Sequence, residues 1–173
     1  MRLFFAINFS NAVKSKLSTL RDELREKSVR GNFTAIENLH LTLAFLGECD
    51  IKHLTAAKAA LDSLPIPPME ICVERIGRFK RDGSDIWWVG ITENEALSAL
   101  QQNLTDKLIS TGFKLENRKY SPHITLAREV ITEMQPWLIK VFGETIHSVE
   151  LMKSERINGK LTYTAVYKKS TGG

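Results

Sequence analysis

The sequence predicts an α+β fold with two pseudo-symmetric lobes, each a helix packed on an antiparallel sheet. Segments with apolar residues three and four positions apart, typical of amphipathic helices, alternate with short aliphatic and aromatic segments typical of strands. A helical segment, an extended segment and the motif His-x-Thr-Leu-Ala follow one another in the first half of the chain and again in the second. The 173 residues suffice for one hydrophobic core, so we expect residues 1–173 to form a single bilobal domain.

The first part of the chain predicts a strand, a helix and a second strand. The apolar run that begins at Leu3 stops at Asn8 after five residues, which is too short for the core of a signal peptide, and we expect Leu3–Phe9 to be a buried strand. Ser10 or Asn11 can cap the next helix. Leu39–Leu46 is the second strand, and Gly47 closes it. The apolar residues of the helix lie on one face: Val13, Leu17, Leu20 and Leu24.

The middle of the chain predicts a short helix and a hairpin. Residues 51–62 form the helix, and a proline-rich segment separates it from the strands that follow. Glu70–Phe79 and Ile86–Ile91 are expected to pair around a turn formed by Asp82-Gly83-Ser84-Asp85.

A third helix and the second motif strand follow. Thr92 and Glu95 form a capping box that opens the helix, and Gly112 ends it. The leucines of this helix recur at helical spacing, at positions 97, 100, 104 and 108. His123–Ala127 is expected to be a strand.

The last part of the chain predicts a fourth helix and a second hairpin. Thr132 and Gln135 are expected to open the helix, whose apolar residues would be Met134, Trp137, Leu138 and Val141. Strands at about 145–153 and 160–168 are expected to be joined near Asn158-Gly159.

Composition and charge indicate a cytoplasmic protein with an anionic partner. The net charge of +4 and the pI of about 9.1 favour a polyanion such as RNA. No apolar segment approaches the roughly 20 residues that span a membrane. Two cysteines, Cys49 and Cys72, are too few for a disulfide framework and fit a reducing compartment. We expect a monomer with no obligate protein partner.

Two copies of His-x-Thr-Leu-Ala, beginning at His40 and His123, are the strongest chemical signal in the sequence. Residues i and i+2 of a strand point to the same face, so Thr42 shares a face with His40, and Thr125 shares one with His123. The aliphatic residues between them are expected to be buried on the opposite face. Two such strands at one cleft would bring two imidazoles and two hydroxyls together.

The other two histidines lack this arrangement. His53 also begins a His-x-Thr sequence, but it lies in the predicted helix 51–62, where residues i and i+2 lie about 200° apart. We expect His53 at the surface or flank of that helix. His147 is followed by Ser148 and is expected to be a partly exposed strand residue.

Paired imidazoles and hydroxyls suit acid–base chemistry at phosphorus. Imidazole titrates near pH 6.5, so one histidine can act as a base while the other acts as an acid on the opposite side of an in-line displacement. Threonine hydroxyls can donate to phosphate oxygens. The motifs alone are also compatible with two half-buried strand histidines that catalyse nothing.

No metal or other cofactor is predicted. Two histidines do not complete a zinc site, and Cys49 and Cys72 have no partner at ligand spacing. The chain has no Gly-x-x-x-x-Gly-Lys-Ser/Thr loop to hold nucleotide phosphates.

The paired motifs, the start Arg2-Leu3-Phe4-Phe5-Ala6-Ile7 and the segment Ser121-Pro122-His123-Ile124-Thr125-Leu126-Ala127-Arg128 resemble the 2H phosphoesterase superfamily. Within it, the sequence is most similar to the RNA 2′,3′-cyclic phosphodiesterase branch, the LigT-like 2′-5′ RNA ligases. The resemblance covers essentially the whole chain. It implies a bilobal fold in which both motifs line one central cleft. It also implies metal-independent hydrolysis of an RNA-terminal 2′,3′-cyclic phosphate to a 2′-phosphomonoester, with a reversible 2′-5′ joining activity. The implied partner is RNA with such ends, tRNA fragments among them.

The same resemblance implies roles for individual residues. His40 would protonate the departing 3′ oxygen, and His123 would activate water. Thr42 and Thr125 would hold phosphate oxygens. Arg128 is a candidate for a charge-assisted contact with phosphate, or for a solvated cation at the end of its strand.

Recognition of the base and of the RNA strand stays open at this stage. Each candidate for stacking on a nucleobase is also a candidate core residue: Phe5, Phe9, Phe45, Tyr120 and Tyr163. Trp87 and Trp88 place one ring on each face of their strand. A basic cluster either guides an RNA backbone or protects an edge strand: Arg75, Arg78, Lys80 and Arg81.

Two other functions fit the same residues. A 2H phosphoesterase could act on a small cyclic nucleotide or on a cyclic phosphate of an ADP-ribose derivative. An RNA-end binding module would use the histidines as ligands only, without turnover.

Overall fold

A computed structural model describes residues 1–116 and 118–172. These residues form three α-helices, a short 3-10 helix and nine β-strands. The helices are α1 (Asn11–Glu26), α2 (Ile51–Asp62) and α3 (Glu95–Ser110), with the 3-10 turn at Ile36–Asn38. The strands are β1 (Arg2–Ile7), β2 (Ser28–Phe33), β3 (Leu41–Glu48), β4 (Met69–Phe79), β5 (Asp85–Ile91), β6 (His123–Thr132), β7 (Trp137–Ile146), β8 (Ser148–Ile157) and β9 (Lys160–Ser170).

All nine strands belong to one antiparallel sheet that is nearly divided in two. The first half-sheet has the order β3-β1-β8-β9, and the second has the order β7-β4-β5-β6, with β2 paired to β6 as well. The halves meet where β3 lies beside β6, and there a single residue pair, Leu41 with Ile124, is in register. Long hydrogen-bonded ladders within each half and one pair between them produce two lobes. The predicted α+β fold with antiparallel sheets is confirmed.

The two lobes are interleaved along the chain. The first half-sheet combines the strands β1 and β3 with the last two strands, β8 and β9. Helix α1 contacts β2, β6 and β7 of the second half-sheet, while α3 packs on α2 and against β3 of the first. Each lobe therefore draws on both halves of the sequence.

Helix spacing in the sequence correctly identifies three helices and the buried faces of α1 and α3. The Ser10 hydroxyl accepts a hydrogen bond from the Val13 amide and caps α1, as expected. Helix α3 differs at its start, because Asn94 is the cap: its side-chain oxygen accepts from the Leu97 amide at 2.9 Å. The predicted box of Thr92 and Glu95 is therefore wrong, although all four leucines of α3 are buried.

The predicted fourth helix is wrong. Residues 132–141 contain the end of β6 and the first half of β7, which pairs with β4. Trp137 and Ile139 pack against the core while Leu138, between them, is 82% exposed, which is the alternation of a strand. Gly143 allows β7 to lie close to β4, since a Cβ there would be 2.0 Å from the carbonyl oxygen of Ile71. The apolar spacing of this segment fits both a helix and a strand, and pairing with β4 makes it a strand.

One further boundary and one further strand differ from the prediction. The expected strand 145–153 is divided at His147 into the end of β7 and the start of β8. Strand β2 was not predicted, because Ser28–Phe33 is mostly polar and contains a glycine. The turn between β8 and β9 lies at Asn158 and Gly159, both with positive φ, as predicted. None of the helices in the described ranges is long and apolar enough to cross a membrane.

Candidate active site

The two motif strands lie side by side where the half-sheets meet. Leu41 and Ile124, the one pair that joins the halves, are completely buried. Their neighbours on the opposite face flank this pair: His40, Thr42, His123 and Thr125. The four positions therefore share the face predicted from strand alternation, where the two half-sheets meet, and we call this surface the cleft face.

The ring of His40 is fixed by two hydrogen bonds. Nδ1 lies 2.7 Å from the carbonyl oxygen of Asn38, and Nε2 lies 2.9 Å from the hydroxyl of Thr42. Because a carbonyl only accepts, Nδ1 carries the proton and Nε2 is the nitrogen that can gain or lose one. Asn38 is itself buried, and its side chain donates to the carbonyl of Leu161.

His123 is held in the same way. Its Nδ1 lies 2.7 Å from the carbonyl oxygen of Ser121, again two residues before the histidine. The two imidazoles therefore share one tautomer, and in each the Nε2 nitrogen is available for proton transfer.

Aromatic rings surround both imidazoles. The ring centre of His40 lies 5.0 Å from that of Phe4 and 5.2 Å from that of Tyr163. The ring centre of His123 lies 5.1 Å from that of Phe79 and 6.1 Å from that of Trp88. These aromatic neighbours exclude water from the sides of the rings.

This burial lowers the pKa of His40 and of His123. The hydrogen bonds to the backbone carbonyls oppose the effect. The positive charge of Arg128 lowers the pKa of both imidazoles further, so its guanidinium lies close enough for its charge to act on each of them.

A β-bulge places Arg128 on this face. Thr125 pairs with Trp88 and Ala127 pairs with Trp87, so two residues of β6 oppose one residue of β5. The extra residue reverses the alternation of the strand. Arg128 therefore shares the face of Thr125, although it lies three residues further along the chain.

A bulge at the matching position of β3 does the same for Phe45. Thr42 pairs with Ala6 and Ala44 pairs with Phe5, so two residues of β3 again oppose one of its neighbour. Phe45 is 52% exposed. It occupies in the first motif the position that Arg128 occupies in the second.

The other stacking candidates fall into two groups. Phe5 and Phe9 are core residues. Tyr163 lies beside the His40 ring. The hydroxyl of Tyr120 donates to the backbone carbonyl of Thr42 at 2.8 Å, which links the segment before β6 to β3.

The two tryptophans separate as their alternation predicted. Trp87 is completely buried in the core, and Trp88 lies on the cleft side. Two of the rings that flank the histidines, Phe4 and Phe79, were missed by sequence reasoning. Their places across neighbouring strands depend on sheet register, which the sequence does not show.

The basic cluster is divided between two environments. Strand β4 lies between β7 and β5, so it is not an edge strand and the edge-protecting interpretation is wrong. Arg78 donates to the carbonyl of Met134 and lies 3.9 Å from the carboxylate of Asp85. Arg75 and Arg81 are exposed.

The remaining candidates lie away from the cleft. His53 completes a capping box with Asp50 at the start of α2, in agreement with its expected place at a helix flank. Cys49 and Cys72 are free thiols. Over residues 1–116 and 118–172, His, Cys, Asp and Glu side chains form no group of three that could hold a metal ion.

Comparison with known proteins gives a consistent family match. Residues 11–158 match the model of the 2'-5' RNA ligase superfamily. An RNA 2',3'-cyclic phosphodiesterase of Archaeoglobus fulgidus is 30% identical over 153 residues, which cover 83% of this chain and 85% of that protein. A protein of the same description from Escherichia coli K12 is 30% identical over 170 residues, covering 94% and 92%.

Solved structures show the same fold. The crystal structure of E. coli LigT in apo form matches with a TM-score of 0.85 at 26% identity, over 98% of this chain and 96% of that chain. A crystal structure of a Thermus thermophilus protein matches with a TM-score of 0.87 at 25% identity, over 100% and 99%.

Proposed function

Because this chain belongs to the 2'-5' RNA ligase superfamily, we propose that it hydrolyses RNA-terminal 2′,3′-cyclic phosphates to 2′-phosphomonoesters. The observation that carries the proposal is the matched pair of imidazoles. His40 and His123 each bond Nδ1 to a backbone carbonyl, which leaves Nε2 as the nitrogen that titrates, and both residues lie on the cleft face. Relatives described as RNA 2',3'-cyclic phosphodiesterases support the substrate class.

The two histidines have opposite roles in the reaction. Nε2 of His123 takes a proton from water as the water oxygen attacks phosphorus. The bond between phosphorus and the 3′ oxygen breaks, and His40 supplies its Nε2 proton to that oxygen. The products are a 3′ hydroxyl and a 2′-phosphomonoester, and exchange of protons with solvent restores both imidazoles.

The free cleft favours neutral imidazoles, whereas the acid must be protonated. Burial and the charge of Arg128 lower the pKa of His40 in the free protein. A bound phosphodiester anion has the opposite effect, since a nearby negative charge favours the imidazolium. Substrate binding thus promotes protonation of the acid.

Three further side chains are suited to the phosphate. The hydroxyls of Thr42 and Thr125 flank the joining pair of strands and can donate to the nonbridging oxygens. Arg128 adds a cation on the same face as Thr125, with a planar donor group that matches two phosphate oxygens. The same scheme, with a ribose hydroxyl in place of water as the nucleophile, accounts for 2′-5′ joining.

Alanine variants of the two histidines test the proposal. H40A and H123A are each expected to lower kcat on an RNA ending in 2′,3′-cyclic phosphate by about 10²- to 10⁴-fold, the usual contribution of a general acid or base. H147A is the matched control, because His147 is exposed in the turn between β7 and β8. Wild-type turnover in folded H40A and H123A would overturn the proposal. Tight binding of such ends by the unaltered protein, without product, would identify an RNA-end binding module instead.

A further inference from the structure

Two arginines on the second half-sheet stack on the rings that flank His123. The guanidinium carbon of Arg75 lies 5.4 Å from the ring centre of Trp88, and that of Arg81 lies 5.7 Å from the ring centre of Phe79. Both rings are neighbours of the His123 imidazole, at 6.1 and 5.1 Å between ring centres. Each arginine is therefore one aromatic ring away from a catalytic imidazole.

Sheet register places Arg75 on the cleft face. Arg75 pairs with Gly90 of β5, and Gly90 pairs with His123 of β6, so the three positions lie in one row across the sheet and share one face. The residue between the two functional side chains has no side chain of its own. A Cβ at Gly90 would lie 3.1 Å from Nε of Arg75 and 3.1 Å from the Trp88 ring. The absence of a side chain at Gly90 leaves room for the Arg75 side chain to lie against the Trp88 ring.

These guanidinium groups are not neutralised by acidic side chains. Neither the Arg75 nor the Arg81 guanidinium forms an ion pair with any carboxylate of residues 1–116 and 118–172. Arg78, between them in sequence, is instead engaged with Asp85. Stacking on a ring orders a guanidinium while N–H groups in its plane remain able to donate. In Arg81 one of them, on Nη1, donates to the carbonyl oxygen of Lys80 at 2.9 Å.

On the first half-sheet, the lysine beside the imidazole lies near carboxylates. Lys14 is the cation whose charge acts on His40 there, and it lies near the carboxylates of Glu37 and Glu150. Its charge is thus balanced locally. Within residues 1–116 and 118–172, unpaired arginines beside the cleft face therefore include Arg75 and Arg81 on the side of β4 and β5, and Arg2 on the first half-sheet, whose guanidinium carbon lies 5.4 Å from the ring centre of Phe45.

We propose that Arg75 and Arg81 bind backbone phosphates of the RNA upstream of the terminal cyclic phosphate. Binding at these two residues favours an oligonucleotide end over a mononucleotide as the substrate. This inference rests on the proposed hydrolysis, because it assigns the body of the substrate whose end reacts between the histidines.

The test compares two substrates that differ only in the upstream strand. One is adenosine 2′,3′-cyclic phosphate, and the other is a hexanucleotide ending in the same cyclic adenylate. R75Q and R81Q are each expected to raise KM for the hexanucleotide about 3- to 10-fold, with kcat unchanged and with less than a twofold change in KM for the mononucleotide. K52Q, which removes an exposed positive charge from α2, is the matched control and should change neither.

Salt dependence provides a second readout that a structural role would not change. Each phosphate contact with a single strand contributes about 0.7 to the slope of log affinity against log salt. Each variant should therefore lower the slope for the hexanucleotide by about 0.7, and the slope for the mononucleotide should stay constant.

The outcomes separate this inference from the proposed function. Equal losses on both substrates would overturn the inference, since the arginines would then act on the terminal nucleotide, and unchanged KM on both would overturn it as well. If the unaltered protein cleaved neither substrate, the proposed function would fail. Fluorescence anisotropy of the labelled hexanucleotide would then test the arginine contacts without turnover: weaker binding by R75Q and R81Q but not K52Q supports them, and equal binding by all refutes them.

Discussion

Replacing Arg128 by glutamine tests the geometry of the cleft in two independent ways. The structure places this cation on the face of Thr125 through the bulge in β6, and its charge lowers the pKa of both His40 and His123. Removing the charge should therefore weaken the contact with phosphate and also alter the titration of the imidazoles.

The magnitude follows from the type of contact. A hydrogen bond to a charged group contributes about 1.5–3 kcal/mol. If that contact is made in the transition state, R128Q should lower kcat/KM by about 10- to 150-fold, at about 1.36 kcal/mol for each factor of ten. Both limbs of the pH profile should move to higher pH, because the pKa of each histidine rises once the neighbouring cation is gone.

The assay is kcat/KM between pH 5 and pH 9 on an RNA ending in 2′,3′-cyclic phosphate, for wild type, R128Q and R128K. Lysine keeps the positive charge but lacks the planar donor group, so R128K should retain the wild-type pH profile and lose less of kcat/KM than R128Q does. An R128Q variant with wild-type rate and an unshifted profile would refute the reasoning, since the guanidinium would then lie away from both imidazoles.

The pH dependence of turnover, the packing at Gly77 and the hydrogen bond of Tyr120 provide three further tests. Burial lowers the pKa of both imidazoles below the usual 6.5, so kcat/KM, which reports the free enzyme, should be maximal below about pH 6.5. The maximum of kcat should lie at higher pH, because the bound phosphate raises both pKa values. A kcat/KM maximum above pH 7 would contradict this prediction. Gly77→Ala should lower the unfolding free energy by about 1–3 kcal/mol and change the near-UV circular dichroism, because the new Cβ would lie 2.3 Å from the Trp88 ring; an unchanged Tm would count against the packing described. Tyr120→Phe should lower the unfolding free energy by about 1 kcal/mol, measured by urea denaturation, because it removes the hydrogen bond to the Thr42 carbonyl, and equal stability would show that this bond contributes nothing.

The sequence predicted the face that the histidines and threonines share because strand alternation is a local property. The aliphatic residues of each motif are buried, and the histidines and threonines between them therefore share the other face. Capping by Ser10 and the leucine spacing of α3 are local in the same sense, and both were found. The grouping of these four side chains could thus be predicted from the sequence.

Other features depend on pairing between distant segments, which the sequence does not display. Residues 137–146 fit a helical spacing, and only their ladder with β4 makes them a strand. The place of Arg128 was open for the same reason: in a regular strand it would face away from Thr125, and the bulge opposite Trp87 reverses this. The positions of Arg75 and Arg81 beside the rings that flank His123 likewise depend on the pairing of β4 with β5.

The central claim is that two imidazoles hydrolyse a 2′,3′-cyclic phosphate and leave the phosphate on the 2′ oxygen. The most direct measurement incubates the protein with a short RNA ending in 2′,3′-cyclic phosphate, with excess EDTA and no ATP, and resolves the 2′- from the 3′-phosphate product. We expect a 2′-phosphate end, formed by the wild type and lost in H40A and H123A. A 3′-phosphate product, or turnover that EDTA abolishes, would contradict the claim.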